Sequence, residues 1–143
     1  MTNTRPQDDA ATGVNAAATP PTIDVAMPAY NEEESLPLVL ADIPQPPVRR
    51  IIVANNNSTD GTAKVGRDAG ATVVPAPIPG YGSACLAALD WLRRNDPPDI
   101  VVFLDADYSD HPEELTRVVA PIVDGRADLV IGSRILGERQ RGA

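Results

Sequence analysis

Apolar residues recur along the chain in short β-branched runs, and most runs are followed by a segment with the wider apolar spacing of an amphipathic helix. The runs 23–27, 50–54, 72–74, 100–104 and 129–131 read as strands, and the segments 33–41, 60–69, 83–94 and 112–124 read as helices. Strands alternating with helices predict βαβ units, and so an α/β domain with a mostly parallel sheet flanked by helices. Pro37 falls in the first turn of its helix, where a missing N–H costs little, whereas Pro121 is expected to kink or end the fourth helix. Trp91 and Leu92, on the third helix, read as core residues. Residues 1–21 carry no such period and are rich in Ala, Thr, Asn and Pro, so a disordered N-terminal tail is expected there.

A parallel sheet places its ligands beyond the carboxyl ends of its strands. Three of those ends are polar: PAYNEEES after the first strand, NNNSTDGT after the second and DADYSD after the fourth. They are expected to converge on one crevice. The last poses the sharpest question, because the apolar run VVFL ends on Asp105, Asp107 and Asp110. Clustered negative charge at a strand end calls for something positive to meet it. Residues two apart in an extended chain point the same way, so Asp105 and Asp107 can reach one cation with the small Ala106 between them. Oxygen ligands favour Mg²⁺ or Mn²⁺, which keep part of their water and bind substrate phosphates as well. Capping of the following helix is the other role open to these carboxylates, and it suits Asp110, just ahead of His111 and Pro112. His111 itself suits a helix start or packing.

In the asparagine-rich loop, Ser58, Thr59 and Asp60 can start a helix. The Asn56 amide can pair with the edge of a nucleotide base, and turn formation explains an Asn-rich loop as well. Gly80 and Gly82 in PGYGSACLAAL allow close approach of backbone to a ligand, or simply a tight loop. They lack the third glycine of a dinucleotide fingerprint and follow the third strand, not the first.

Length and charge narrow the picture. A chain of 143 residues allows one domain with one modest core. Acidic residues outnumber basic ones by 20 to 12, for a net charge of −8, which argues against nucleic acid or an anionic membrane as the main partner. The single cysteine, Cys85, excludes an internal disulfide, reads as a small buried hydrophobe and fits a cytoplasmic location. No apolar run approaches the ~20 residues that span a bilayer, and the start of the chain lacks the pattern of a signal peptide.

Taken together, PAYNEEES, NNNSTDGT, DADYSDHPEEL and DLVIGSR, in this order and spacing, resemble the family 2 glycosyltransferases of GT-A fold, especially the dolichol-phosphate-mannose-synthase-like branch. The resemblance runs from about Thr22 to Arg134. It implies transfer of a sugar from a nucleotide-diphosphate sugar, with inversion and with Mg²⁺ or Mn²⁺, to an acceptor such as polyprenyl phosphate at the cytoplasmic membrane face or a cell-envelope glycan. It further implies that Pro28, Tyr30, Glu32 and Asn56 contact the nucleotide, that Asp105, Ala106 and Asp107 form a DxD motif holding metal and donor diphosphate, and that Arg134 lies near the donor phosphates. Asn55 and Asn56 stand where the family usually has two acidic residues, and Ser109 where mannose synthases often have Gln.

The expected organisation is a nucleotide-sugar-binding region over residues 22–136, with 137–143 beginning an acceptor-binding part that lies beyond the chain and carries the general base. Self-association or a C-terminal partner chain is then expected. A non-catalytic nucleotide-sugar-binding module is the alternative. A sugar-1-phosphate nucleotidyltransferase would need a glycine-rich loop where PAYNEEES stands, and a dehalogenase-type phosphatase a lysine downstream of its aspartates, whereas the one lysine, Lys64, is upstream.

Overall fold

The structure, a computed structural model, describes residues 19–133 and 135. The expected tail lies almost wholly outside the described residues, as do Arg134 and the 137–143 segment. Four strands form one parallel sheet: β1 (Ile23–Ala29), β2 (Val48–Asn55), β3 (Thr72–Pro75) and β4 (Ile100–Phe103), in the order β3-β2-β1-β4. The helices are α1 (Leu36–Asp42), α2 (Thr62–Asp68), α3 (Tyr81–Arg94) and α4 (Leu115–Val123), the last preceded by a 3-10 turn over Pro112–Glu114.

Alternation along the strands builds the two faces. Val25 and Met27 on β1, with Ile51 and Val53 on β2, point to the side covered by Leu36, Val39 and Leu40 of α1 and by Leu115 and Val119 of α4. Ala26, Ile52 and Ala54 point the other way, onto Ala84, Ala88 and Leu92 of α3. Small residues on both sides of that second interface let α3 lie close against the sheet. Leu92 is buried as expected, but Trp91 is only half-buried and lies beneath the Arg50 guanidinium, 5.3 Å from its ring centroid. It packs against the edge of the core cluster that holds Ala84, Ala88 and Leu92, and shields an ion cluster there.

Two expectations about elements need correction. The first helix begins at Leu36, not residue 33, because Pro37 has no N–H to donate to the Glu33 carbonyl, so the Leu36 N–H bond to Glu32 O (2.9 Å) remains a single turn, and the segment before it is tied to the second polar loop. Asn31 N donates to Ser58 Oγ (3.0 Å), Glu32 N to Thr62 Oγ1 (2.8 Å) and Glu33 N to Asp60 Oδ2 (3.3 Å). Segment 129–131 is not a strand: Leu129 and Ile131 are 77% and 80% exposed and pair with no strand among the described residues. A β-branched run becomes a strand only where a partner accepts its backbone hydrogen bonds. Pro121 ends α4 as a final-turn residue, two positions before its last. Gly125, at φ +70°, then closes the helix: its N–H donates to Ile122 O and the Arg126 N–H to Pro121 O, a Schellman closure that wants a left-handed residue.

Candidate functional site

The carboxyl ends of β1, β2 and β4 and the loop from β3 to α3 enclose a crevice of about 690 Å³. Pro28, Tyr30, Glu32, Asn56, Asp105, Ala106 and Asp107, all singled out from the sequence, line it. Pro79, Gly80 and Tyr81, on the loop before α3 and its first residue, complete the wall.

The first two polar loops are bolted together. Besides the three bonds from the N–H groups of Asn31, Glu32 and Glu33, Asn31 Oδ1 accepts the Thr59 N–H (2.8 Å) and Glu33 Oε2 accepts the Gly61 N–H (2.7 Å). Asp60 turns back on its own segment, accepting the Thr62 N–H at 2.9 Å and the Thr62 hydroxyl. The Thr62 hydroxyl bond, outweighing partial burial, holds its carboxyl below the usual range. Asn31 tolerates the left-handed φ of 52° that this crossing of loops imposes. The DAD turn joins the same frame, because Ser35 Oγ lies 2.6 Å from Glu32 Oε2 and 2.8 Å from the Ala106 carbonyl. Beyond it, Ser109 N donates to Asp107 Oδ1 (2.9 Å) and the Tyr108 hydroxyl to Asp42 at the end of α1. The 3-10 turn is flanked by His111, one residue after Asp110, and no side chain of His111 caps it. His111 faces solvent, 3.0 Å from Glu113.

Asn56 is buried, and its amide faces the protein. Its Nδ2 donates to Ala76 O (2.7 Å) and Ile78 O (2.7 Å), and its Oδ1 accepts the Gly80 N–H (2.9 Å). Asn57 Nδ2 adds a bond to Pro77 O (3.0 Å). The asparagines therefore fasten the proline-rich loop PAPIPG, whose Pro75, Pro77 and Pro79 lack N–H groups of their own. Gly80, at φ +121°, makes the turn into α3 in a conformation that glycine alone adopts readily.

Asp105 is half-buried at the crevice, and Asp107 is exposed. Among the described residues Asp105 has no cationic partner; its carboxylate accepts the Tyr81 hydroxyl at 2.8 Å. That bond, with burial, pushes the Tyr81 phenol well above its ordinary value, so it remains a donor. Cys85, one turn along α3, is half-buried beside Tyr81, and burial raises its thiol. Sequence reasoning weighed the glycines on either side of Tyr81 and passed over the tyrosine between them. The available signal was an aromatic hydroxyl at a helix start facing a strand that ends in aspartate.

As a cation site, the crevice offers carboxylate oxygens from Asp105 and Asp107, and among the described residues no group of three or more His, Cys, Asp or Glu gathers. This donor set fits an ion that takes its remaining ligands from water and a bound diphosphate, as Mg²⁺ and Mn²⁺ do. It does not fit a closed structural metal site.

The model of the family "Glycosyl transferase family 2" matches residues 24–142. An uncharacterized glycosyltransferase of Mycobacterium tuberculosis is 48% identical over 112 residues, covering 78% of this chain and 48% of that protein. Polyprenol monophosphomannose synthase of Mycolicibacterium smegmatis is 40% identical over 120 residues, covering 77% of this chain and 44% of its own length. The chain thus spans about half the length of these relatives. Among solved structures, glucosyl-3-phosphoglycerate synthase from Mycobacterium tuberculosis with Mn²⁺, UDP and glucosyl-3-phosphoglycerate superimposes with a TM-score of 0.62 at 32% identity, over 72% of this chain and 40% of that one. Mannosyl-3-phosphoglycerate synthase from Rubrobacter xylanophilus gives 0.64 at 25% identity, over 73% of this chain and 36% of that one. With its parallel sheet, its flanking helices and its aspartates at the end of β4, the chain belongs to glycosyl transferase family 2 and has the GT-A fold.

Proposed function

We propose that this chain forms the donor side of an inverting glycosyl transferase, binding a nucleotide-diphosphate sugar together with Mg²⁺ or Mn²⁺ and presenting the anomeric carbon to an acceptor oxygen. The observation that carries the reading is the crevice itself: Asp105, without a cationic partner among the described residues, faces Pro28, Tyr30 and Glu32 across one cavity at the carboxyl edge of a parallel sheet.

The nucleotide lies along the β1 side, where the exposed Tyr30 offers a ring face and Glu32 offers acceptors to hydroxyl groups. Asn56 shapes this end through the loop it holds, its amide being engaged there. Asp105, Ala106 and Asp107 would receive the diphosphate, the two carboxylates holding a cation that would supply charge neutralisation for the departing nucleoside diphosphate. Arg134, outside the described residues, is assigned to the same phosphates because a guanidinium offers two parallel donors to them.

For the acceptor we favour a phosphorylated molecule, polyprenyl phosphate first and a cell-envelope glycan second, used at the cytoplasmic face of a membrane. Support comes from the name of the mannose synthase relative and from neighbour structures holding UDP-glucose with phosphoglyceric acid. No helix among the described residues is long and apolar enough to cross a membrane.

Calorimetry with UDP-, GDP- and dTDP-sugars, in Mn²⁺, Mg²⁺ or chelator, tests the proposal. One nucleotide series is expected to bind, only with metal, and Asp105→Asn or Asp107→Asn to weaken it roughly tenfold or more. Equal affinity in chelator, or in both variants at matched Mn²⁺, would overturn it.

A further inference from the structure

The glycine-flanked start of α3 holds two contacts that the donor-site reading leaves without a purpose. Asn56, at the end of β2, accepts the Gly80 N–H, and the next residue, Tyr81, reaches across the crevice to Asp105 beyond β4. Adjacent residues of one loop thereby join two strand ends that are not neighbours in the sheet, whose order is β3-β2-β1-β4.

Each part of this link is stiff. The alternating prolines of PAPIPG favour an extended backbone, which turns the carbonyls of Ala76 and Ile78, two residues apart, toward the same side. Both hydrogens of one amide nitrogen meet them, so the residue at this position must donate twice and accept once. Aspartate could supply the acceptor and neither donor. Tyr81 is the first residue of a 14-residue helix, and its ring has only two side-chain torsions. Its hydroxyl engages Oδ1 of Asp105, and among the described residues Oδ2 takes no hydrogen bond and faces the crevice that would hold a cation. An unrestrained carboxylate at a strand end samples several rotamers, and only some aim at a cation shared with Asp107.

We propose that Tyr81 is the positioning residue of the metal-diphosphate site, holding the Asp105 carboxylate in its ligating orientation, and that Asn56 sets Tyr81 in place through the Ala76–Ile78–Gly80 latch. This rests on the donor-site reading above. It assigns to Asn56 a mechanical role in place of direct contact with a base. It also gives a reason for the amide where carboxylates are usual: the proline-rich loop presents carbonyls that a carboxylate would repel.

The test is a Mn²⁺ titration followed by electron paramagnetic resonance, with UDP and GDP present in turn, on the full chain and on Tyr81→Phe. Tyr81 is 62% exposed, so Phe should fold with an unchanged melting temperature. Mn²⁺ affinity is expected to fall roughly tenfold or more, with a broadened spectrum of the residual bound ion, while nucleotide binding in chelator stays the same. Asn56→Asp is expected to weaken Mn²⁺ in the same direction, and Tyr81→Phe added to it to cost less than on its own, because the two act through one link. Unchanged Mn²⁺ affinity in Tyr81→Phe would overturn the role of Tyr81 and leave the donor-site reading standing. Strict additivity of the two substitutions would overturn the latch. Failure of the unsubstituted chain to bind Mn²⁺ with either nucleotide would overturn the donor-site reading and this inference together.

Discussion

The two ends of the same sheet treat an aspartate in opposite ways. At the amino end, Asp24 on β1 is fully buried. Arg49 grips it through Nε (3.0 Å) and Nη2 (2.8 Å), and Arg50 through Nε (3.1 Å) and Nη2 (2.6 Å). The arginines are themselves held by Asp96 and by the backbone carbonyls of Asn95 and Asp96 at the end of α3. At the carboxyl end, Asp105 meets, among the described residues, a neutral hydroxyl and no cation, in a crevice open to solvent. A carboxylate saturated by its own chain holds the fold together. One that the fold orients without neutralising is set to receive something from outside.

The largest effect should come from breaking the saturated end. Removing Asp24 leaves Arg50 without a carboxylate partner among the described residues and Arg49 with Asp96 alone, and Asp24→Asn is expected to cost about 3 kcal/mol, the lower end for a broken buried pair because both arginines are about a quarter exposed and can turn toward water. Urea unfolding measures it. A loss under about 0.5 kcal/mol would place this network among ordinary surface contacts.

Next, the open end should separate binding from stability. Asp105→Asn is expected to leave the unfolding free energy within about 0.5 kcal/mol, since no ion pair among the described residues is broken, while donor binding with Mn²⁺ falls roughly tenfold, about 1.4 kcal/mol. If stability and binding fall together, Asp105 belongs with Asp24 as a structural group.

Acid sharpens the same contrast. Burial alone would raise the Asp24 carboxyl, but hydrogen bonds and charge from Arg49 and Arg50 outweigh it and lower it below its ordinary 3.8. A depressed carboxyl contributes stability that is present above its unfolded value and lost as pH falls through its folded value. Unfolding free energy should therefore hold steady down to about pH 5 and decline below 3.8, and Asp24→Asn should flatten that decline. Asp99, lowered by hydrogen bonds from the Thr22 N–H and hydroxyl at the same end, adds to it.

The smallest effect concerns segment 129–131. Leu129→Asn is expected to change stability by under about 0.5 kcal/mol, because the side chain is mostly in water. A cost above about 2 kcal/mol would restore the buried strand that its hydropathy predicts.

The four strands lie within two residues of where alternation and β-branching put them, since a buried parallel strand needs a short apolar run whatever its neighbours are. The crevice was legible for the same reason, as polar segments directly after such runs must gather at one edge. Segment 129–131 has the same composition and no pairing strand among the described residues, and composition alone does not tell those cases apart. The first helix starts at Leu36 because Pro37 withholds the N–H that a helix from residue 33 would need, and residues 31–33 bond instead to the second polar loop, a choice set by geometry. Tyr81 escaped notice because its meaning lies in a contact 24 residues away.

Sequence by itself determined the α/β class, the parallel sheet, the end of the sheet that carries the site and the carboxylate pair beyond β4. These follow from periodicities of two and 3.6 residues and from the chemistry of single side chains, which act locally. Only the tertiary structure decided which polar groups meet: Asn56 with the loop before α3, Tyr81 with Asp105, and Asp24 with Arg49 and Arg50. The last depends on the register that sets Asp24 opposite Arg50, and a slip of one residue would turn every side chain of the strand to the other face. Hydrogen bonds reach only about 3 Å, so partners remote in sequence are chosen by assembled geometry and not by their own neighbourhoods.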